Sequence, residues 1–371
     1  MNQGWLVKIG TNAALLAIKW HLPIKGLLRS TIFDQFVGGE TLDETIAISN
    51  KLKQFAIDVI LDYGAEGKES EGAFDNAKNE FIRVINHAAR QENIPLIGIK
   101  LTALARFALL EKLNLLVTFG QDQVSIDISS TSPNEQQEWA RVVQRVVAIC
   151  ELAAQKNVGI LIDAEESWIQ NTIDALTMQV MQQYNSQKAV VFNTIQLYRH
   201  DRLEFLKRSY AIALKNRFLL GAKIVRGAYM EKERNRAALL QEVSPIQPNK
   251  PASDRDFNAA IAYSIQHIDR ISLIIASHNE YSAQLAVQLM EEANLPYNHP
   301  HIQFSQLYGM SDNITFNLAK LGCHASKYLP YGPIDDVIPY LMRRAQENSS
   351  VAGQTSRELF LIEQEIKRRG I

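Results

Sequence analysis

Short apolar, β-branched runs punctuate the chain, and each is followed by a longer stretch with apolar positions at helical spacing. The runs are Ala56–Tyr63, Pro95–Leu101, Val158–Asp163, Ala189–Ile195, Leu219–Val225, Ile271–Ser277, His301–Ser305 and Cys323–Tyr328. Near-continuous apolar character of this kind suits parallel strands buried on both faces. The last two runs are short and partly polar, and read as strands by their place in the series. Between the runs, the spacing predicts helices over Asp75–Glu92, Pro133–Asn157, Glu165–Tyr184, Glu204–Asn216, Asp254–His267, Glu280–Glu292, Asn313–Leu321 and Ile334–Asn348. The second of these has the clearest start, with Ser132 as N-cap, Pro133 in the first turn and Glu135 facing the positive end of the helix dipole. Strand alternating with helix implies right-handed βαβ units, and eight units match a closed (βα)8 TIM-type barrel of the α/β class. An open doubly wound sheet is the alternative, but no GxGxxG follows any strand, which counts against its dinucleotide-binding form. The expected organisation is a helical lead-in over 1–50, a barrel over 51–350 and a helical tail over 351–371. Val243–Ser253 carries three prolines and reads as an extended loop.

Composition narrows the function classes. The 371 residues include 39 Lys+Arg and 40 Asp+Glu, a net charge of −1, so the basic surplus of a nucleic-acid binder is missing. The length alone suggests two or three domains; the strand count favours one barrel instead. Cys150 and Cys323 are the two cysteines, which argues against a disulfide framework and for a reducing, cytoplasmic location. No stretch reaches the ~20 apolar residues of a membrane span. Trp5–Trp20 is apolar but interrupted by Lys8 and Lys19. It reads either as a helix packed on the barrel or as a peripheral contact at the inner face of the cell membrane.

In such a barrel the C-terminal strand ends carry the chemistry. Glu66 and Lys68 follow the first run, Lys100 lies in the second, and the third ends in Asp163-Ala164-Glu165. Gln196 follows the fourth run, Arg226 and Tyr229 the fifth, His278 and Asn279 the sixth; Gln306 and Tyr308 end the seventh and Tyr328 the eighth. Tyr340, Arg343, Arg344 and Glu347 sit on the last helix. Each has a structural reading: Lys100 with Asp163 as an ion pair, His278 as a hydrogen-bonded core residue, Arg343 with Glu347 as a solvated helix pair worth ~0.3 kcal/mol. Glu231–Arg236 reads as a solvated helix face. Convergence favours function, because one mouth would hold Lys100, Lys223, Arg226, Arg343 and Arg344 beside Tyr229, Tyr328 and Tyr340. That set suits a small carboxylate and a second, phosphate-bearing ligand. His299-Pro300-His301 is too close-spaced for a metal site, and neither HExxH nor a nucleophile elbow is present.

Eight segments in order resemble the proline dehydrogenase family: KLTAL at Lys100, DAE at Asp163, NTIQ at Asn193, KIVRGAY at Lys223, SHN at Ser277, QLYGM at Gln306, YLPYG at Tyr328 and YLMRRAQEN at Tyr340. The resemblance spans roughly residues 36–350. It implies a distorted (βα)8 barrel with non-covalent FAD at its mouth, oxidising L-proline to Δ1-pyrroline-5-carboxylate and passing electrons to a quinone. It also implies a compact monofunctional bacterial type without an aldehyde dehydrogenase module. On this resemblance Arg343 and Arg344 clamp the carboxylate, and Lys100 and Asp163 lie beside substrate and flavin. Tyr229, Leu307, Tyr328 and Tyr340 wall the pocket, and Glu66 pairs with Arg343 as a gate. Gln196, Lys223, Val225, Arg226, Gly227, Ala228, His278, Asn279, Gln306, Arg344 and Glu347 match cofactor-contacting positions. Some relatives carry Arg where this chain has Lys223 and Lys where it has Arg226. Relatives that favour hydroxyproline carry a small residue at the position of Tyr328, so the resemblance favours proline here. Three alternatives remain at this level: a hydroxyproline dehydrogenase, a barrel lyase or aldolase using Lys100 as Schiff-base nucleophile, and a non-catalytic relative that senses proline or binds a partner.

Overall fold

The structure is a computed structural model that describes residues 33–64, 69–350 and 364–370. Trp5–Trp20 and Glu66 lie outside the described residues, and Glu347 lies outside those whose side chains are described.

Eight parallel strands close into a barrel: β1 (Ile57–Tyr63), β2 (Leu96–Ile99), β5 (Gly159–Ile162), β6 (Val191–Gln196), β7 (Leu220–Val225), β8 (Ile271–Ala276), β9 (Ile302–Leu307) and β10 (Ala325–Tyr331). They run round the ring in chain order, and β1 closes it by pairing with β2 on one side and β10 on the other. An antiparallel hairpin, β3 (Val117–Phe119) and β4 (Val124–Ile126), interrupts the alternation between β2 and β5. The helices are α1 (Thr45–Lys53), α2 (Glu71–Ala88), α3 (Phe107–Asn114), α4 (Pro133–Lys156), α5 (Ser167–Tyr184) and α6 (Arg202–Lys215). They continue with α7 (Met230–Leu240), α8 (Lys250–Gln266), α9 (Glu280–Glu292), α10 (Asp312–Leu321) and α11 (Ile334–Ser350).

Local chemistry accounts for the boundaries. Ser132 and Glu135 form a reciprocal capping box at the start of α4, and Asn157 ends that helix in the left-handed region at φ 58°. Ser70 caps α2 by accepting from the Ala73 amide, so that helix begins at Glu71 instead of Asp75. The extended loop expected over Val243–Ser253 is shorter than its prolines suggested. Asn249 caps α8, Pro251 fits its first turn, and Lys250–Ser253 are helical. Ile246 is pinned by an antiparallel bridge to Arg199. The helix expected from Glu165 begins two residues later, at Ser167.

Side-chain alternation divides each strand between two cores. Ile60, Leu96, Leu161, Phe192, Ile274 and Tyr328 fill the barrel interior. The opposite faces, such as Val59, Leu61, Ile97 and Ile160, pack on the helices. A third cluster caps the mouth, where Phe33, Phe36 and Val37 meet Ile334, Val337, Tyr340 and Leu341 of α11. Leu307 touches both this cap and the interior cluster. Behind β6, a fully buried Arg202–Asp174 pair is bidentate at 2.8 and 3.0 Å and is joined by Gln170 and Asn193. A buried pair completed by further hydrogen bonds can offset its own desolvation.

Candidate active site at the barrel mouth

Polar side chains gather where the strands end. Asp163 leaves β5 pointing inward and accepts the Tyr328 hydroxyl at 2.6 Å, the Lys223 ammonium, and the Thr194 hydroxyl at 3.4 Å. The cation that donates to Asp163 is Lys223. Lys223 is 5% exposed and also lies over the Tyr328 ring, 4.8 Å from its centre. Tyr328 was expected at a strand end; it lies in the middle of β10, which runs on through Pro330 to Tyr331. Its ring crosses the interior above Gly98, where a Cβ would come within 2.4 Å of the phenol oxygen. Burial, then Asp163 and Asp62, hold that phenol well above its usual range, so it stays a hydrogen-bond donor.

Helix α11 supplies the adjacent arginines. Arg344 is buried, with its guanidinium 5.1 Å from the centre of the Tyr340 ring, while Arg343 sits 5.8 Å from that of Tyr229. Tyr229 also senses Lys100 and Glu165, and burial raises its phenol far above the usual value. Lys100, Tyr229 and Arg343 are thus brought together from β2, the β7–α7 segment and α11. His278 shares a 3.0 Å hydrogen bond with Ser311. Burial, Arg344 and Lys327 push its imidazole down to about 3, so it is neutral. Gly227 adopts φ +34°, and an added Cβ there would meet only Met230 within 4 Å. The missing side chain is what would let a ligand approach the backbone closely at this position.

Several residues read as ligand contacts also make hydrogen bonds that frame the mouth. Arg226 donates to Asp254, Ser277 and Ser282 at 3.0, 2.6 and 2.7 Å and stacks on Phe257. Burial lowers it to about 10. Gln196 donates to the Glu165 carbonyl and the Tyr198 hydroxyl, Gln306 to the Ser277 carbonyl, and Asn279 caps α9. Two buried charged groups near the mouth, Asp62 and Lys327, were not marked as site residues from the sequence, and Glu165 was marked only as the end of the third run. Asp62 lies on the inward face of β1, two residues from Ile60. Lys327, 1% exposed, holds the Met310 carbonyl at 2.6 Å and Asp312 at 2.7 Å. Glu165 accepts two hydrogen bonds from Thr102. The first was signalled by the period-2 alternation of its strand; Glu165 was visible in the DAE triplet but read as helical. A groove of about 460 Å³ between the start of α1 and α2 is lined by Asp43, Arg83, His87 and Arg90, none of them a predicted site residue. Among the described residues no helix is long and apolar enough to cross a membrane, and no group of three or more His, Cys, Asp or Glu could hold a metal ion.

Comparison with known proteins is consistent across sequence and structure. A family model described as proline dehydrogenase matches residues 45–357. Proline dehydrogenase 1, mitochondrial, of Dictyostelium discoideum is 35% identical, over 94% of this chain and 66% of its own length. The carbapenem antibiotics biosynthesis protein CarD of Pectobacterium carotovorum is 33% identical, over 93% and 86% respectively. A hydroxyproline dehydrogenase of Xenopus laevis is 30% identical, over 92% and 78%. Proline utilization A (PutA) from Bdellovibrio bacteriovorus, inactivated by N-propargylglycine, superposes with a TM-score of 0.74 at 21% identity, over 87% of this chain and 33% of that one. This chain therefore spans just under two thirds of the Dictyostelium protein and a third of PutA.

Proposed function

The chain belongs to the proline dehydrogenase family, and on that premise we propose that it oxidises L-proline to Δ1-pyrroline-5-carboxylate with FAD at the barrel mouth and a quinone as final acceptor. The observation that carries this reading is the pair of adjacent arginines on α11, one buried, each facing a tyrosine ring: Arg344 that of Tyr340, and Arg343 that of Tyr229, which also interacts with Lys100. Two long planar forks from neighbouring positions can grip one carboxylate from two sides. Flat tyrosine walls leave room for a small saturated ring. Bound FAD would supply hydride acceptance. The residues present suit such a group: a backbone without a side chain at Gly227, a neutral His278, and cations at Lys223 and Arg344 able to face a diphosphate.

The protein's own part is geometric. Arg343 and Arg344 bind the carboxylate and so fix where the ring carbon next to nitrogen lies. Leu307, Tyr340 and the lead-in residues Phe33 and Phe36 belong to one apolar cluster at the mouth, which would keep water from that position. Asp163 holds Tyr328 and Lys223 in place through its two carboxylate oxygens. Arg226, Gln196, Gln306 and Asn279 keep the surrounding loops in register. Glu66 as a partner of Arg343, and Glu347 and Ala228 as cofactor contacts, are carried over from the family pattern. The same pattern supports a barrel unit over 51–350, a lead-in over 1–50 and a tail over 351–371, with a peripheral contact at the cytoplasmic face of the membrane for quinone access.

The purified protein is expected to be yellow, and L-proline added without air should bleach it. A colourless protein that takes up no FAD overturns the reading. The relative from Xenopus raises hydroxyproline as an alternative substrate. On the family pattern the Tyr328 ring, which lies in the barrel interior, would crowd an added ring hydroxyl, so L-proline should bleach the protein faster than hydroxyproline.

A further inference from the structure

Glu165 is buried, and both of its carboxylate oxygens serve one residue. The Thr102 amide donates to Oε1 at 3.1 Å, and the Thr102 hydroxyl donates to Oε2 at 2.6 Å. Thr102 lies in the one-turn 3-10 segment Leu101–Ala103, whose N-cap residue is Lys100. That turn is closed by the Ala103 amide on the Lys100 carbonyl at 3.2 Å. The backbone of Glu165 is fixed separately: its amide donates to the Gln170 side chain at 2.8 Å, and its carbonyl accepts from Gln196 at 2.7 Å. A rigid β5–α5 loop thus presses a carboxylate onto the turn that aims Lys100 into the mouth.

We propose that Glu165 is the positioning residue of Lys100: its ionised carboxylate locks the Thr102 turn, and its protonation loosens that turn and slows turnover. The proposal rests on the reading of Lys100 as a neighbour of the substrate. Hydrogen bonds to an ionised acceptor are roughly twice as strong as neutral ones, so removing the charge weakens both contacts at once. The change is a proton exchanged with solvent at Glu165, with no other bond made or broken. The charged surroundings come from every element packed nearby. Lys100 stands at the end of β2 and Glu166 on the same loop, the latter paired with Lys232 of α7. Glu233 of α7 holds Ser167, and Tyr229 with Arg343 lies across the mouth. Burial is the largest influence on Glu165, Thr102 and Lys100 oppose it, and Glu166 reinforces it; the carboxyl is pushed up to about 7. Its charge therefore changes near neutral pH.

The test compares the holoenzyme with E165Q, T102V and T102S. In pH-difference infrared spectra the wild type should show a protonated-carboxyl stretch that fades between about pH 6 and 8, and E165Q should lack it. Turnover of E165Q should lie within about twofold of the wild type at pH 6, lack the wild-type rise between pH 6 and 8, and be roughly 10-fold below the wild type at pH 8. KM for proline should stay within about threefold, because the clamp arginines are untouched. T102V should reproduce the loss and T102S should restore turnover. An E165Q enzyme with the wild-type pH limb overturns the proposal, as does full turnover in T102V or a missing infrared band in the wild type. If no variant and no wild type is bleached by proline, the proposed activity fails instead, while the infrared titration still reports the charge of Glu165.

Discussion

Asp58 and Arg344 mark the two ends of the barrel, and each allows a direct test. Asp58 shares the inward face of β1 with Ile60 and Asp62, at the N-terminal floor. Burial raises its carboxyl from 3.8 to about 6, with His324 partly opposing the shift. The folded state therefore binds this proton more tightly than the unfolded chain. Stability from this group is full below pH ~4 and is lost as pH rises through about 6, at a cost of about 2–3 kcal/mol. Asp58→Asn should raise the Tm at pH 7.5 and leave it unchanged at pH 4, as followed by circular dichroism. At the mouth, Arg344→Met should weaken proline by ~2–5 kcal/mol of lost charge pairing, which is on the order of a 30-fold or larger rise in KM. Steady-state kinetics decide it, and an unchanged KM removes Arg344 from the substrate clamp.

At the level of strands and helices, the eight barrel strands and their order were legible because strands buried on both faces leave long apolar runs. The hairpin β3–β4 was not, since its three-residue strands are mostly half-buried and too short to leave such a run. Tyr328 was misplaced for a related reason. The polar Lys327 and the helix-breaking Pro330 hide a strand of seven residues, and a ring that spans the barrel shows only in three dimensions. Partnerships between distant segments were equally invisible, as with Asp163 and Lys223, or Glu233 and α5. Glu233 read as part of a solvated face, yet it is 2% exposed and accepts the Ser167 amide at 2.6 Å and hydroxyl at 2.7 Å. It caps α5 from another helix, and α7 follows directly on the segment at Gly227. Glu233→Ala should cost about 1–2 kcal/mol, a Tm lower by roughly 2–6 °C. It should also weaken FAD binding measured by flavin fluorescence, since α7 loses its anchor; unchanged affinity would separate the cap from the cofactor segment.

Over the whole molecule the net charge of −1 conceals a strong local contrast. Lys100, Lys223, Lys327, Arg226, Arg343 and Arg344 lie toward one end of the barrel, while many acidic groups pair with cations on the outer helices, as Glu71 and Asp75 do with Arg145. Attraction for an anionic cofactor must therefore come from the mouth and not from the overall field, which is screened beyond about 8–10 Å at physiological salt. A ligand that binds only the folded chain stabilises it by RT ln(1 + [L]/Kd), about 2.7 kcal/mol at 100 times Kd. For a barrel of this size that is a Tm rise of about 3–8 °C. FAD added to the cofactor-stripped protein should produce such a rise. Riboflavin offers the same ring system without the diphosphate, so at equal concentration it should raise the Tm by clearly less. Added salt should narrow the gap only partly, because Lys223 and Arg344 are buried. Equal shifts from FAD and riboflavin would mean that the cationic mouth contributes nothing to holding the diphosphate, and that the cluster serves the carboxylate alone.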